Sequence, residues 1–288
     1  MRAREVPGSI VEMPAARDAE NPSTPVAAAG SVPPRMQVLF VADLHYALKQ
    51  FDWLIAHAAE YEAVIIGGDL LDLSGSLEID VQIVVVEKYL HRLRQLTQVI
   101  VSSGNHDGDS RNAQDESVAR WLLEVKMPQL WADGDSIEIG GHLITVCPWW
   151  DGPASRAALE AQLAADARRE KRRWIWVHHA PPEGSPVSWT GRKFAGDEYL
   201  VRWIAEYQPH LVLSGHVHNA PFYAGGSWID RIGRTWVFNP GRQLGPQPAC
   251  VAFDLEKMTA EWIAIEGRAT RSLEEPLASA PPSAAAGA

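Results

Sequence analysis

Short apolar runs alternate along the chain with stretches in which apolar residues recur every three or four positions. The runs predict buried strands, and they lie at 36–41, 63–66, 98–101, 137–139, 143–146, 174–177, 211–213, 236–238, 252–253 and 262–265. Helical spacing predicts helices at 51–59, 83–93, 157–169 and 200–207, and a shorter one around 121–123. The pattern therefore begins as repeated strand–helix units.

Later in the chain the pattern changes from strand–helix units to strands in succession. Gly140 and Gly141 separate the runs at 137–139 and 143–146, which is typical of a hairpin. The last three apolar runs follow one another without a helical stretch between them. Alternating units that give way to hairpins predict an α/β protein, a layered sandwich with mixed sheets, and they favour one domain over two.

The two ends of the chain differ from this pattern. Residues 1–35 and the residues from 268 onward are rich in Ala, Pro and Ser, and they show no sustained apolar period. Such segments bury too little apolar surface to offset the entropy that they lose on ordering. We therefore predict flexible tails at 1–35 and 268–288 around a folded domain at 36–267.

Composition excludes several classes of protein. The 288 residues include 46% hydrophobic residues, but no run of 18 or more apolar residues could form a membrane-spanning helix. The formal net charge of -10 would repel a nucleic-acid backbone. The two cysteines exclude a disulfide framework, and the N-terminus lacks an apolar secretory segment, so we expect a cytoplasmic protein.

Polar side chains that can bind metals follow five of the predicted strands. Open α/β sheets place their ligands at such strand ends, and carboxylates, amides and imidazoles bind first-row metals. In chain order the segments are Asp43-Leu44-His45, Gly67-Gly68-Asp69 with Asp72, Gly104-Asn105-His106-Asp107, His178-His179 and Gly215-His216-Val217-His218. Six of the ten histidines lie in these segments, which points to a shared metal site.

Each segment taken alone also has a structural explanation. An Asp-x-His after a strand is commonly a capped turn, and Asp69 can be the N-cap of a helix. Asn105 can occupy a left-handed turn position, and His178 and His179 can be hydrogen-bonded structural groups. Because all five segments occur in order at strand ends, the set as a whole favours a metal site.

The series Asp43-x-His45, Gly68-Asp69, Gly104-Asn105-His106-Asp107, His178 and Gly215-His216-x-His218 resembles the calcineurin-like metallophosphoesterase superfamily. The resemblance implies a four-layer α/β-β/β-α sandwich with mixed sheets and a dinuclear metal centre at the carboxyl ends of the strands. It further implies that one ion is held by Asp43, His45 and His218, the other by Asn105, His178 and His216, and both by Asp69.

The resemblance also implies the chemistry of the centre. A ligand set of oxygen and imidazole without thiolate fits two divalent or mixed-valence ions of Mn, Fe or Zn. Two ions about 3.5–4 Å apart clamp a phosphoryl group and supply a bridging hydroxide that attacks phosphorus. His106 is expected to act as the general acid for the departing oxygen. Asp107 is expected to orient His106 and to stabilise its imidazolium form.

Four further positions are weaker candidates. Asp72 resembles a recurrent family position and is expected to orient ligands, with a solvent-exposed cap as the alternative. His179 follows a predicted ligand and can contact the substrate. Arg242, which ends the turn Asn239-Pro240-Gly241-Arg242, can contact a substrate phosphate or form a surface salt bridge. The pair Trp149-Trp150 can line an aromatic pocket or pack in the core.

The activity expected from the resemblance is hydrolysis of a small-molecule or nucleotide phosphodiester. A phosphomonoesterase, including one that acts on phosphoprotein, is the alternative enzyme. In a different class, some relatives use this fold as a protein-binding scaffold after losing ligands, whereas the whole ligand set is present here. The expected partner is a small phosphate ester, without stable nucleic-acid or membrane binding, and the oligomeric state stays open.

Overall fold

Fifteen strands and five α-helices make up the computed structural model, which describes residues 36–275. The strands are β1 (Gln37–Val41), β2 (Ala63–Gly67), β3 (Gln98–Ser102), β4 (Ser110–Arg111), β5 (Ser117–Val118), β6 (Leu130–Ala132), β7 (Ser136–Ile139), β8 (His142–Val146), β9 (Arg173–Val177), β10 (Leu211–Leu213), β11 (Ile229–Ile232), β12 (Thr235–Phe238), β13 (Cys250–Asp254), β14 (Thr259–Ala264) and β15 (Gly267–Ser272). The helices are α1 (Leu48–His57), α2 (Ile79–Leu93), α3 (Arg120–Glu124), α4 (Pro153–Ala167) and α5 (Glu198–Tyr207). Short 3₁₀ helices lie at Ala58–Glu60, Pro186–Ser188 and Ala220–Phe222.

The strands form two large mixed sheets and one small ribbon. The first sheet has seven strands in the order β15-β14-β13-β1-β2-β3-β6, and the second has six in the order β11-β12-β10-β9-β8-β7. β4 and β5 pair separately. Within the first sheet β1, β2, β3 and β6 are parallel, and within the second β8, β9, β10 and β12 are parallel. Each sheet thus presents the carboxyl ends of its parallel strands at a single edge.

Three apolar clusters fill the spaces between four layers. The central cluster lies between the sheets and combines Phe40 and Ile65 from the first with Ile175 and Phe238 from the second. A second cluster packs α1, α2 and α3 on the outer face of the first sheet. A third packs α4 and α5 on the outer face of the second sheet. The predicted four-layer α/β-β/β-α sandwich with mixed sheets is therefore confirmed.

Carboxylate side chains fix where the two helices on the second sheet begin. Asp197 accepts hydrogen bonds from the backbone N–H groups of Tyr199 and Leu200, which caps α5. The Glu116 carboxylate accepts from the N–H groups of Ala154 and Ser155 in the first turn of α4. Because this partner is remote in sequence, spacing alone predicts α4 from position 157, whereas the helix begins at Pro153.

The predicted C-terminal tail boundary is wrong by several residues. The segment Gly267–Ser272 forms β15, the edge strand of the first sheet, and pairs antiparallel with β14 over its whole length. Most of its side chains are exposed, so it lacks the apolar pattern of a buried strand, and backbone hydrogen bonds hold it in place. The predicted tail at 1–35 and residues 276–288 of the predicted C-terminal tail lie outside the described residues.

None of the helices between residues 36 and 275 has the length and the apolar content needed to cross a bilayer.

Candidate metal centre

The loop after β1 is joined by its backbone to the loop after β2. The N–H of Asp43 donates to the carbonyl of Gly68 at 3.1 Å, and the N–H of His45 donates to the carbonyl of Asp69 at 2.9 Å. Three of these residues, Asp43, His45 and Asp69, have φ between 42° and 56°. Non-glycine residues rarely adopt this left-handed conformation. The two loops thus hold their polar side chains in a strained but fixed arrangement.

Glycines at the strand ends allow the loops to approach one another. A Cβ atom on Gly104 would lie 2.2 Å from Oδ1 of Asp69, and one on Gly215 would lie 2.6 Å from Oδ2 of Asp43. Any side chain at these positions would displace a carboxylate of the centre. These two positions therefore require glycine.

The first group of candidate ligands consists of Asp43, His45, Asp69 and His218, whose ligand atoms all lie within 4.8 Å of one another. The Nε2 atoms of His45 and His218 are 3.0 Å apart. Nε2 of His218 lies 3.4 Å from Oδ1 of Asp43, and Nε2 of His45 lies 3.5 Å from Oδ2 of Asp69. The structure thus brings together the four residues that the sequence predicts for the first ion.

The second group consists of Asp69, His179 and His216, with Asn105 beside them. Nε2 of His179 lies 3.3 Å from Oδ2 of Asp69, and Nδ1 of His216 lies 2.8 Å from Oδ1 of Asn105. Asp69 belongs to both groups, as expected of a carboxylate between two ions. Asn105 and His216 are placed as the sequence predicts, but the remaining histidine is a different one.

The predicted ligand His178 points away from the centre, and His179 takes the expected place. His178 contacts the carbonyl of Ala180 through Nδ1, and its ring lies against Trp203 on the helix-facing side of the second sheet. Successive side chains at the end of a strand point to opposite faces. In β9, Ile175 and Val177 face the other sheet, so His179 does as well and His178 does not. The prediction for His178 is therefore corrected.

The distances fit shared metal ions. Ligands bonded at about 2.0–2.2 Å to one ion lie about 2.8–3.6 Å apart in tetrahedral or octahedral geometry, and the five distances above lie between 2.8 and 3.5 Å. Oδ2 of Asp43 and Nε2 of His179 are buried without a hydrogen-bond partner in the described part of the chain. Nδ1 of His179 contacts the carbonyl of Gly67 at 2.6 Å, which leaves Nε2 facing the carboxylates.

The carboxylates of the centre are held ionised. Burial alone would raise the pKa of Asp69, but the charge of His179 and its contact with the carboxylate outweigh burial and hold the pKa far below its usual value. Burial likewise opposes ionisation of Asp43, but the contact with His218 and the charge of His179 together overcome it, so that the pKa of Asp43 is lowered. Two ionised carboxylates in a buried site attract cations.

The histidines of the centre differ in whether burial or the nearby carboxylates has the larger effect on the pKa. Burial lowers the pKa of His45 and that of His216 to about 4, so both rings are neutral near pH 7 and can bind a metal. Burial opposes protonation of His179 too, but the nearby Asp69 raises the pKa of His179 to about 10. In the absence of an ion, His179 therefore carries the positive charge that balances Asp69.

His106 lies beside the first group of ligands and is half-buried. Its ring makes an edge-to-face contact with the ring of His45 at a centroid distance of 4.6 Å. The backbone N–H of Leu73 donates to Nδ1 of His106 at 3.4 Å. Ligand atoms of His45, Asp72 and His106 lie within 4.8 Å of one another. Asp72 is thus next to His45 and His106, in the position that an orienting residue requires.

Asp107 does not contact His106, contrary to the prediction. Its side chain is fully buried beneath the loops, and Oδ1 accepts hydrogen bonds from the N–H groups of Leu70 and Leu71, while Oδ2 accepts from the N–H of Gly104. Burial and the charge of Asp69 raise the pKa of Asp107 to about 8. Asp107 therefore fixes the two loops that carry Asp69 and Asn105, because its carboxylate accepts hydrogen bonds from three backbone N–H groups of these loops.

The turn after β12 contributes a residue that the sequence does not single out. Asn239 is fully buried, and its Nδ2 donates to the carbonyls of Val187, Gly215 and Val217. These bonds hold the loop that bears His216 and His218. Arg242, three residues later, has no carboxylate within 4.0 Å in the described part of the chain, and its charge helps to lower the pKa of His45. In the sequence, only the turn Asn239-Pro240-Gly241-Arg242 draws attention to Asn239 and Arg242.

Aromatic side chains border the centre on the side of the second sheet. The Trp149 ring lies 5.8 Å from the ring of His179 and 5.7 Å from that of His216. A cavity of about 530 Å³ adjoins His216 and is lined in part by Trp149, Trp150 and Tyr199. Both tryptophans are half-buried and line this cavity, and Trp150 also packs against the outer apolar cluster, so each of the two alternatives holds in part.

Comparisons with solved structures identify the fold. The chain is similar to a protein of Thermus thermophilus (14% identity, 83% of this chain and 99% of that chain, TM-score 0.51). It is also similar to purple acid phosphatase PPD1 from yellow lupin seeds (14% identity, 83% and 52%, TM-score 0.51). A third similar structure is a dimetal phosphatase from Danio rerio (12% identity, 82% and 96%, TM-score 0.50). A search of curated protein sequences gives no match.

The family assignment follows from the sequence match. A family model described as calcineurin-like phosphoesterase matches residues 36–220, which is more than half of the chain and includes all seven candidate ligands. The two groups of ligands that share Asp69 are what a metal-dependent enzyme of this kind requires. The chain therefore belongs to the calcineurin-like phosphoesterase family and is a metal-dependent phosphoesterase.

Proposed function

We propose that the protein hydrolyses small phosphodiesters at this centre with two ions of Mn, Fe or Zn. The residues that would hold the ions are Asp43, His45 and His218 for the first, Asn105, His179 and His216 for the second, and Asp69 for both. When bound, two such ions stabilise the charge on the phosphoryl group and supply a nucleophile near neutral pH. The protein's own side chains would orient the ester and protonate the departing oxygen.

His106 is the proposed proton donor to the departing oxygen. The N–H of Leu73 donates to Nδ1 of the neutral ring, so Nε2 is the nitrogen that carries a proton in either form, and the ring would donate that proton from its imidazolium form. The ring is half-buried at the border of the centre, next to His45, where a leaving group can reach it. Asp72 lies within reach of the same ring, which supports an orienting role for Asp72.

The charges around the centre are the observation that favours a diester. The cavities of about 530 and 300 Å³ that adjoin His216 and His218 have no Lys or Arg among the described residues that line them. Asp151, Asp197 and Glu198 line the larger cavity. A phosphomonoester carries nearly two negative charges at pH 7, whereas a diester carries one. The carboxylates therefore repel a monoester more strongly, and Arg242 is the proposed contact for the single phosphate charge.

The test is a comparison of bis-p-nitrophenyl phosphate with p-nitrophenyl phosphate, because both release the same leaving group. Metal content is measured on the same full-length sample after reconstitution with Mn²⁺. We expect two ions per chain and a larger kcat/KM for the diester. A larger kcat/KM for the monoester would support the phosphatase alternative instead. Two bound ions without turnover of either ester would point to the scaffold alternative.

Two further expectations concern the chain as a whole. All candidate ligands lie between residues 43 and 218, so removal of residues 1–35 is expected to leave kcat unchanged.

Cys147 and Cys250 are free and buried. Free thiols are typical of reducing compartments, which supports a cytoplasmic location. Fractionation of cells that express the chain with an epitope tag would test that location.

A further inference from the structure

We propose that two copies of the chain associate through the outer face of α2, with the two helices antiparallel around a two-fold axis. The α2 stripe consists of Leu77, Val81 and Val84, whose apolar side chains are each about half exposed. With Leu73 they account for four of the ten exposed large apolar side chains of the described residues, all within 73–84. Neither the metal centre nor the activity proposed above is needed for this association.

The stripe lies on the face of α2 that does not pack against the first sheet. The inner face of the helix is buried and consists of Gln82, Ile83, Val86, Leu90 and Leu93. Val81 and Val84 are three positions apart on the opposite side, so their side chains are neighbours. Single exposed apolar residues are ordinary, whereas a contiguous group of them is typical of a contact surface.

The stripe is ordered before any partner covers it. Gln82 is buried, and its Nε2 donates to the carbonyls of Asp72 and Leu77, each at 2.9 Å. Its Oε1 accepts from the N–H of Asp72 at 2.8 Å. These bonds hold the segment before α2 against the helix, so Leu77 keeps a fixed place at the N-terminal end of the stripe. Groups that are already ordered lose little entropy on binding.

Charged residues on the same face identify the partner as a second copy. Asp80 and Lys88 are exposed and lie four positions to either side of Val84, which places all three on one side of the helix. Neither charge has an opposite charge within 4.0 Å in the described part of the chain. The face therefore carries an unpaired acid before its apolar centre and an unpaired base after it.

This order of charges is complementary to itself when one helix is reversed. With Val84 of both copies at the axis, Asp80 of each copy faces Lys88 of the other, so two ion pairs flank the apolar contact. A parallel arrangement would place Asp80 against Asp80 and Lys88 against Lys88, which is repulsive. A two-fold interface uses one surface twice, and this surface fits that symmetry.

The size of the stripe indicates how strong the association is. A helix of 15 residues is about 22 Å long, and aliphatic side chains allow two helices to pack about 8–10 Å apart. One helix from each copy buries less than the roughly 800 Å² per partner of a standard interface. We therefore expect a reversible dimer with a dissociation constant on the order of 10–100 µM.

Sedimentation velocity of the full chain tests the association. At about 0.15 M salt, which screens the long-range repulsion between copies but less so close pairs, the sedimentation coefficient should rise between about 1 and 300 µM protein. Val84→Asp places two carboxylates together at the axis and should weaken association by about 100-fold. The matched control is Ile265→Asp, at an exposed apolar side chain between β14 and β15, which should leave association unchanged.

Charge reversal tests the antiparallel arrangement. Asp80→Lys and Lys88→Asp each turn both ion pairs into repulsive contacts and should weaken self-association by about 5- to 50-fold. An equal mixture of the two variants should associate as well as the unmodified protein, because every contact across the axis then joins opposite charges. All the altered positions are exposed, so circular dichroism and thermal unfolding should show an unchanged fold.

Three results would overturn the proposal. A single monomeric species up to about 300 µM would show that the stripe does not join two copies, about ten times the middle of the expected range of dissociation constants. A dimer that persists in Val84→Asp would show that a different surface is used. Loss of association in both charge variants without any gain on mixing them would exclude the antiparallel arrangement.

Discussion

Histidines occupy both edges of the paired sheets, and their surroundings are opposite. At the carboxyl edge His179 faces Asp69, which overcomes the effect of burial and raises the pKa of His179 to about 10. At the amino edge His142 begins β8 and is fully buried without a hydrogen-bond partner in the described chain. Burial, with the charges of Arg173 and Arg172, lowers the pKa of His142 to about 4.

The difference shows that charge is separated across the sheets. Asp43 and Asp69 follow the ends of β1 and β2, and Lys171 and Arg172 directly precede β9, which begins with Arg173. A cavity of about 850 Å³ lies at the basic edge, yet its cations already have partners. Arg172 pairs with Glu256 at 2.7 Å, Arg169 pairs with Asp166 at 3.2 Å, and Lys171 donates to three backbone carbonyls. Unpaired buried charge therefore indicates function better than cavity size does.

Asp69→Asn should have the largest effect, because this one carboxylate is proposed to hold both ions. The amide keeps an oxygen that can accept from the N–H of His106, so the loop should remain folded. Loss of several kcal/mol of charge stabilisation corresponds to about a 10³-fold or larger fall in kcat/KM. Metal analysis should find fewer than two ions per chain. Asp166→Asn, at a buried carboxylate far from the centre, is the control and should retain both ions.

His106→Ala should lower kcat by about 10²–10⁴-fold, the range for a lost general acid. The deficit should be largest for esters with poor leaving groups, since these need the proton most. Both ions should remain bound, because His106 is not among the ligands proposed for either. An unchanged kcat on an alkyl ester would contradict the assignment.

His179→Ala and His178→Ala test the corrected ligand directly. Loss of His179 should weaken binding of one ion by at least about 100-fold, more than the loss of a residue that only orients a ligand. His178→Ala should keep two ions per chain, since its ring lies against Trp203 away from the centre. Metal titration of both variants is the measurement. The reverse order of affinities would restore His178 as the ligand.

Asn239→Ala should reduce metal affinity by about 10- to 100-fold without removing any ligand, because it releases the loop that bears His216 and His218. The matched control is Gln50→Ala. Gln50 is also buried and donates to two backbone carbonyls, of Gln243 and Gly245, but not to that loop. If both variants lose stability equally and bind metal equally well, the positioning role of Asn239 is wrong.

His142→Leu should have the smallest effect, confined to stability in acid. The folded chain keeps His142 neutral down to about pH 4, whereas the unfolded chain protonates it near 6.5. Between these values the unfolded state binds more protons, so the free energy of unfolding falls as the pH falls, by roughly 1–3 kcal/mol for this group. Urea unfolding at pH 8 and pH 5 should show a smaller acid loss for the variant, and equal losses would contradict the assignment.

Much of the fold and of the site could be predicted because parallel strands place their ends together. Six candidate ligands directly follow apolar runs, so the position of each run predicts that they lie at the carboxyl edge of a sheet. They are Asp43, His45, Asp69, Asn105, His216 and His218. β15 could not be predicted in this way, since the sequence Gly267–Ser272 has no apolar pattern and depends on pairing with β14. The start of α4 likewise depends on Glu116, a remote residue.

The errors within the site have one physical origin. Both faces of β9 are apolar, because each packs against a different layer, so the sequence does not reveal whether His178 or His179 faces the other sheet. In the same way, nothing in the sequence shows that Asp107 turns inward to three backbone donors rather than outward to His106. Orientation at a strand end is a property of the assembled layers.

The shared centre also determines when during folding it can form. Asp43, His45, Asp69 and Asn105 come from the first sheet, and His179, His216 and His218 come from the second. Contacts between such distant parts of a chain form late, after the cost of closing long loops has been met. Ions held by the proposed ligands would need side chains from both sheets, so they could not start folding. We expect them to slow unfolding instead, because separation of the sheets would break ligand contacts of both ions.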